Sequence, residues 1–208
     1  MKLKYNAPTT LTFALAAAIV LLIDQYLMPG VIEALFTAEG SSTFRYDDVP
    51  AYVRMLTHVF GHSGWEHLLS NLTLILLLGP ILEEKFGSKQ VAWMIVATAL
   101  ANGLVNAFFF DSALMGSSGV AFMMILLVSF ANIRTGEFPL TALLVVGLYL
   151  VKEILAIFRY DDVSQMSHII GAACGAVFGF SRTVGSRKAA PGGAPPMPAG
   201  GGGRTIAG

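Results

Sequence analysis

Long apolar stretches, separated by short polar or glycine-rich segments, make up most of the chain between residues 11 and 180. A helix that crosses a bilayer needs about 20 mostly apolar residues, within a range of about 17–25. Six stretches meet this requirement, at residues 11–28, 66–82, 91–110, 117–133, 138–158 and 163–180. The pattern therefore predicts an all-α membrane protein with six transmembrane helices.

The composition supports the same class of protein. Of the 208 residues, 55% are hydrophobic and 12% are charged, whereas about 25% are charged in an average soluble domain. The net charge is zero, so no nucleic-acid partner is expected. The single cysteine, Cys174, excludes a disulfide within the chain and a cysteine-based metal site. Residues 11–28 lack the cleavage pattern of a secretory signal, so we expect them to remain as the first span.

The basic residues predict the orientation of the six spans, because cytoplasmic loops of membrane proteins are enriched in Lys and Arg. An even number of spans places both termini on one side. With the termini inside, the inner segments carry Lys2, Lys4, Lys85, Lys89, Arg134, Arg182, Arg187 and Lys188, and the outer loops carry Arg45, Arg54 and Arg159. Both termini are therefore predicted to be cytoplasmic.

Two segments outside the spans have their own character. The first outer loop, residues 29–65, is long and mixed in polarity, and we expect it to hold amphipathic, partly embedded pieces. From residue 185 onward Gly, Pro and Ala dominate, a composition that buries too little surface to offset its ordering entropy. We therefore predict a membrane domain over residues 1–184 and a disordered cytoplasmic tail over residues 185–208.

An identical hexapeptide, FRYDDV, occurs at residues 44–49 and again at residues 158–163. Both copies fall in predicted outer loops, and no wider repeat flanks them. We interpret them as local chemistry, since aspartates suit helix N-termini and Arg pairs with Asp at surfaces.

The few polar residues inside the spans are predicted to meet at one level. Polar groups in the membrane are costly and usually face the bundle interior or a water-filled cavity. His67 and Asn71 share one face at the start of span two, Ser118 begins span four, and His168 lies near the start of span six. These three spans run in the same direction, so the four side chains are expected to lie together in the outer half of the bilayer.

Small residues at a spacing of four on span six, Gly171, Gly175 and Gly179, favour a close approach of another helix. Such an approach would bring Ser118 within hydrogen-bond reach of His168, and an adjacent base is what activates a serine. The start of span four also supplies free N–H groups where an oxyanion would develop.

Two other interpretations of these residues stay open. Ser117 could be the nucleophile instead of Ser118, or both serines could serve helix packing alone. His58, His62 and His67 could bind a metal, but no carboxylate completes a catalytic zinc set. We therefore expect no metal and no other cofactor.

Four motifs resemble those of the rhomboid family of intramembrane serine proteases. GSSG at residues 116–119 resembles the family's nucleophile motif, and HVFGHSGWEHLLSN at residues 58–71 resembles its span-two His and Asn pattern. LGPILEEKFG at residues 78–87 and SHIIGAACG at residues 167–175 resemble its later motifs. The resemblance covers roughly residues 51–180 and is closest to the six-span bacterial type.

The resemblance implies a role for each matching residue. Ser118 would be the nucleophile and His168 the general base, in a dyad without an acidic third member. His67 and Asn71 would donate hydrogen bonds to the oxyanion together with the Ser118 N–H. Gly116 would keep the adjoining loop compact.

Further positions match the family pattern in supporting places. Arg54 would order the first loop, and Glu83 would tie the inner end of span two to its neighbours. Two positions depart from the pattern: Val53 stands where the family often has a bulky aromatic residue, and Phe122 stands where a tyrosine often stacks on the base. Phenylalanine keeps the ring face and lacks the hydroxyl.

The implied function is that of an intramembrane serine endopeptidase in a six-transmembrane-helix, rhomboid-like bundle. It would cleave transmembrane segments of other membrane proteins near the outer face of the cell membrane, so its expected partners are transmembrane substrates and the lipid bilayer. The alternative is a catalytically silent rhomboid-like scaffold that binds transmembrane helices. A proton-coupled transporter would need discontinuous helices and internal repeats, which the sequence lacks beyond the hexapeptide.

Overall fold

The computed structural model describes residues 5–131 and 162–188 and, between these ranges, single helical positions at 140, 144, 147, 148 and 151. Within the described ranges all regular structure is helical except for one isolated antiparallel bridge between Ala38 and Leu114. The all-helical architecture fits the predicted membrane fold.

Seven α-helices and one short 3₁₀ helix are described. The helices are α1 (Pro8–Tyr26), α2 (Val31–Leu35), α3 (Val49–Thr57), α4 (Trp65–Phe86), α5 (Ser88–Phe109), α6 (Ser118–Ala131) and α7 (Asp162–Lys188), and the 3₁₀ helix is His58–Phe60. Predicted spans one, two, three, four and six each correspond to a helix, α1, α4, α5, α6 and α7. The fifth predicted span, residues 138–158, lies outside the described residues apart from the single positions.

Three of the described helices, α1, α4 and α5, are long and apolar enough to cross a membrane by length and composition. The number of six spans and the cytoplasmic position of the termini stay predictions. Helix α7 continues to Lys188, so residues 185–188, predicted as the start of the tail, are helical. The remainder of the predicted tail, residues 189–208, lies outside the described residues.

Helix α6 is the centre of the bundle. Its residues from Val120 to Met124 are all at least 94% buried, and a helix that is apolar and buried on every side belongs in a core. Helices α4, α5 and α7 pack around it. The other fully enclosed core side chains include Leu21 of α1, Leu68, Ile75 and Leu82 of α4, and Val91 of α5.

Glycines let α7 approach α6 closely. A methyl group added at Gly171 would overlap the carbonyl of Gly119, and one added at Gly175 would overlap the carbonyl of Met123. Small residues one turn apart allow two helix backbones to meet in this way. The sequence-based expectation that span six uses its glycines for close packing is confirmed.

Glu83 joins the end of α4 to the start of α1. Its carboxylate accepts hydrogen bonds from the Thr10 N–H and the Thr10 hydroxyl, both at 2.6 Å, and from the Thr9 N–H at 3.2 Å. A methyl group added at Gly79, one turn before Glu83, would overlap the Thr10 hydroxyl. Glu83 therefore caps the first turn of α1, where backbone N–H groups have no partner within the helix.

Ion pairs and one backbone pairing organise the first loop. The Arg54 guanidinium lies 2.6 Å from the Glu39 carboxylate and 2.9 Å from that of Asp48. Ala38 and Leu114 exchange backbone hydrogen bonds of 2.9 and 2.8 Å. The first loop is thus attached to the segment that leads into α6.

The first FRYDDV copy contains an exposed ion pair between Arg45 and Asp47, 2.9 Å apart. The hydrogen bond from Arg45 lowers the pKa of the Asp47 carboxyl. This contact agrees with the interpretation of that copy as local surface chemistry. The second copy lies largely outside the described residues.

Substituting Gly175→Leu should destabilise the bundle by about 1–3 kcal/mol, because the new side chain overlaps the α6 backbone. The matched control is Ala173→Leu, two residues away on an exposed face of α7, which should change stability by no more than about 0.5 kcal/mol. Denaturant-induced unfolding in mixed micelles measures both. Equal stability of the two variants would contradict the close contact.

Glu83→Ala should lower stability by about 1–3 kcal/mol, because buried N–H groups of α1 lose their acceptor. Glu84→Ala removes the exposed neighbouring carboxylate and serves as the control, with an expected effect below about 0.5 kcal/mol. The same unfolding measurement applies. A Glu83→Ala protein as stable as Glu84→Ala would show that the cap contributes nothing.

Candidate active site

Ser118 and Ser117 occupy different environments at the start of α6. Ser118 is the first residue of the helix and is partly exposed. Ser117 precedes it, is 0% exposed, and its carbonyl accepts the 3.0 Å hydrogen bond from Ala121 that opens the helix. Only Ser118 is open to a reacting group from outside the core.

Gly116 brings the loop before Ser118 against the first turns of α4. Its φ is +117°, in the region that side chains other than glycine rarely adopt. A methyl group there would lie 2.8 Å from Cε1 and Nε2 of the His67 ring and 3.8 Å from Nδ2 of Asn71. Glycine at this position therefore lets both α4 side chains reach the backbone next to the nucleophile.

The polar atoms of α4 face this loop. Asn71 Nδ2 is buried and has no hydrogen-bond partner among the described residues, although a buried N–H donor is normally paired. His67 Nδ1 lies 3.2 Å from the Ser63 hydroxyl, which leaves the Nε2 edge of the ring toward Gly116. An open depression of about 510 Å³, lined in part by Ser63 and His67, reaches this side of the site.

His168 of α7 packs against the face of α6 that carries Ser118 and Phe122. Its ring packs on the Phe122 ring with centroids 4.3 Å apart and planes tilted by 44°. Phe122 is one turn after Ser118, and residues four apart share a helix face. The backbone contact between Gly119 and Gly171 fixes the distance between the two helices at this level.

Two sets of contacts, Gly116 with His67 and Asn71 and Phe122 with His168, lie on either side of Ser118 in the sequence, so six of the predicted site residues lie near the starts of α4, α6 and α7. They are Gly116, Ser118, Phe122, His67, Asn71 and His168. Arg54 lies away from them in the first loop, where it pairs with acidic side chains. Glu83 lies 16 residues beyond His67 on α4, which places it about 24 Å away along the helix axis.

Sequence reasoning missed a contact between His62 and Ser117. His62 Nε2 lies 3.1 Å from the Ser117 hydroxyl, and the Ser117 N–H points at the same nitrogen from 3.4 Å. His62 Nδ1 lies 3.2 Å from the Phe60 carbonyl, which can only accept, so the proton is on Nδ1 and Nε2 accepts from Ser117. No local sequence pattern indicates this contact, because it joins positions 55 residues apart.

Burial sets the protonation state of His62. Loss of solvation, with a smaller contribution from nearby His67, lowers the pKa of His62 to about 4. The ring is therefore neutral at physiological pH and able to accept the Ser117 hydrogen bonds. In the described residues no three His, Cys, Asp or Glu side chains form a group that could hold a metal ion.

A small polar cavity lies behind the start of α6. Its lining includes Asn102 and Asn106 of α5 and Ser167 of α7, and its volume is about 10 Å³, enough for about one water molecule. Asn102 Oδ1 and Ser167 Oγ are buried without a partner among the described residues. Asn102 and Ser167 also lie against Gly119, the residue after Ser118.

Comparison with known proteins gives consistent matches. The Rhomboid domain family model matches residues 50–183 of the chain. Rhomboid protease GlpG of Klebsiella pneumoniae is 30% identical over 143 residues, which cover 66% of this chain and 51% of that protein. Rhomboid protease GlpG of Salmonella choleraesuis is 29% identical over 141 residues, covering 65% and 50%.

A plant protein matches over a similar region. Rhomboid-like protein 11, chloroplastic, of Arabidopsis thaliana is 21% identical over 152 residues, which cover 65% of this chain and 54% of that protein. The chain thus spans about half the length of the curated relatives it matches.

Proposed function

The chain belongs to the rhomboid family, and from this premise we propose that it is an intramembrane serine endopeptidase with Ser118 as nucleophile and His168 as general base. One observation carries the proposal: the partly exposed Ser118 follows Gly116, which lies against His67 and Asn71, and comes one turn before Phe122, whose ring packs on that of His168. Its substrates are transmembrane segments of other membrane proteins.

The proposed acylation step begins with proton transfer. His168 takes the proton of the Ser118 hydroxyl while the oxygen attacks the scissile carbonyl carbon. The carbonyl oxygen becomes an oxyanion, and the tetrahedral intermediate then collapses with cleavage of the C–N bond. His168 returns the proton to the leaving amine, and the acyl group remains on Ser118.

The deacylation step reverses these roles with water. His168 takes a proton from a water molecule, the resulting hydroxide attacks the acyl carbon, and Ser118 leaves with the proton returned by His168. The cavity lined by Asn102 and Ser167 has room for about one water molecule, and both residues lie against Gly119, the residue after the proposed nucleophile.

Three donors are proposed to stabilise the oxyanion: the Ser118 N–H, His67 and Asn71. The unpaired Asn71 amide supports this role, because a donor that already had a protein partner would have to exchange it during the reaction. Preorganised donors aimed at developing charge are usually the largest single contribution to catalysis of this type.

The predicted orientation of α4 and α6 supports a site in the outer half of the membrane. The distribution of Lys and Arg predicts that the first turns of both helices lie toward the outside. We infer that the site opens to the outer side of the cell membrane and receives water there.

The nucleophile assignment predicts that Ser118→Ala and His168→Ala both abolish cleavage of a transmembrane reporter in proteoliposomes, because each removes half of the dyad. A fluorophosphonate probe should label the wild type on Ser118 and should still attach to that residue in Ser117→Ala, as peptide mass analysis would show. Cleavage by a folded Ser118→Ala protein would contradict Ser118 as the nucleophile. A folded wild type that neither cleaves the reporter nor binds the probe would support the scaffold alternative.

The oxyanion assignment predicts that His67→Ala and Asn71→Ala lower kcat by about 10-fold or more, with the larger loss for His67→Ala, and leave KM nearly unchanged. The control is Thr73→Ala, at an exposed α4 residue whose hydroxyl donates to the Leu69 carbonyl of its own helix, and it should retain full kcat. A rise in KM at constant kcat would instead assign the pair to substrate docking.

A further inference from the structure

We propose that His62 and Ser117 form a positioning pair for the nucleophile, in which the His62 ring fixes the direction of the Ser118 hydroxyl and N–H. The proposal rests on the proposed function, in which Ser118 is the nucleophile. His62 and Ser117 are positioning residues: they touch neither substrate nor the reacting atoms.

The first support is that one ring nitrogen holds two groups of Ser117. His62 Nε2 accepts from the Ser117 hydroxyl at 3.1 Å and faces its N–H at 3.4 Å. A hydrogen bond to both the side chain and the backbone of one residue restricts rotation of that residue. Since Ser117 is joined directly to Ser118, the same contact restricts where the nucleophile begins.

The second support is that His62 belongs to a segment that is itself fixed. The His58 carbonyl accepts the Gly116 N–H at 2.9 Å, and His58 Nε2 donates to the Ala99 carbonyl of α5 at 3.1 Å. The Phe60 carbonyl holds the His62 tautomer. Residues 58–62 therefore hold two successive residues of the nucleophile loop, Gly116 and Ser117.

The third support is the contact of His62 with the proposed oxyanion site. The His62 and His67 rings pack edge to face with centroids 5.0 Å apart. One side of the His62 ring thus touches the residue before the nucleophile, and the other side touches an oxyanion donor. The ring sets the distance between the two functional groups.

The pair is unsuited to serve as a second catalytic dyad. Ser117 is 0% exposed and His62 is 1% exposed, so no peptide carbonyl can approach the Ser117 hydroxyl. Burial also lowers the pKa of His62 to about 4, and a base this weak removes a serine proton poorly. The pair holds its geometry without reacting.

The test uses substitutions that keep a hydrogen-bonding group at the place of only one of the two His62 ring nitrogens. The amide oxygen of His62→Gln reaches the place of Nε2 and can accept from Ser117, whereas His62→Asn reaches only the place of Nδ1. Ser117→Ala removes the hydroxyl with the smallest change in volume. Ser129→Ala, on the same helix with its hydroxyl bonded to the Ile125 carbonyl, is the matched control.

We expect Ser117→Ala and His62→Asn to lower kcat and the rate of probe labelling of Ser118 by about 10-fold, with KM within about twofold, because small misplacement of a nucleophile is costly. His62→Gln should stay within about threefold of the wild type, and Ser129→Ala should match it. The double variant of Ser117→Ala and His62→Asn should be no slower than the worse single variant, because both changes break one interaction.

Opposite results would overturn the proposal. Wild-type kcat and labelling rate in Ser117→Ala, additive losses in the double variant, or probe attachment to Ser117 in the wild type would each do so. If His62→Asn fails to fold, Ser117→Ala and His62→Gln decide the outcome by themselves. Ser118→Ala, run alongside, separates the two ideas: if it is inactive while Ser117→Ala is unimpaired, the protease assignment stands and only the positioning pair fails.

Discussion

The close contact between α6 and α7 determines what the first turn of α6 can do. Where Gly171 meets the Gly119 carbonyl, no side chain keeps the two backbones apart. A wider separation would leave the Phe122 ring without the His168 ring that packs on it. The position of the proposed base relative to Ser118 thus follows from the absence of one Cβ atom at the helix crossing.

The loop before α6 shows how irregular backbone is accommodated inside an apolar bundle. Backbone groups in such a place need partners within the protein, because lipid provides none. Leu114 pairs with Ala38, Gly116 donates to His58, and Ser117 bonds to His62. Polar side chains of this region therefore hold the backbone. A group without a partner among the described residues, such as the Asn71 amide nitrogen, is a candidate for chemistry.

Much of the architecture follows from sequence patterns, because long apolar runs have few possible conformations in a membrane. Five of the six predicted spans correspond to described helices, and the directions of the spans predict that Ser118, His67 and His168 share one level. The Ser117–His62 contact did not follow, since it joins positions 55 residues apart through a loop. The path of that loop depends on distant pairings, such as the bridge between Ala38 and Leu114, that no local pattern encodes.

The Glu83 cap joins two segments of the chain that are synthesised several seconds apart. The Glu83 carboxylate lies 73 residues after Thr10 in the chain. Because ribosomes add about 5–20 residues per second, the first turn of α1 is synthesised roughly 4–15 s before Glu83. Until then its N–H groups depend on interfacial water. The cap can therefore form only when α4 has packed beside α1. If synthesis stops between Thr10 and Glu83, the N–H groups in the first turn of α1 lack their carboxylate acceptor.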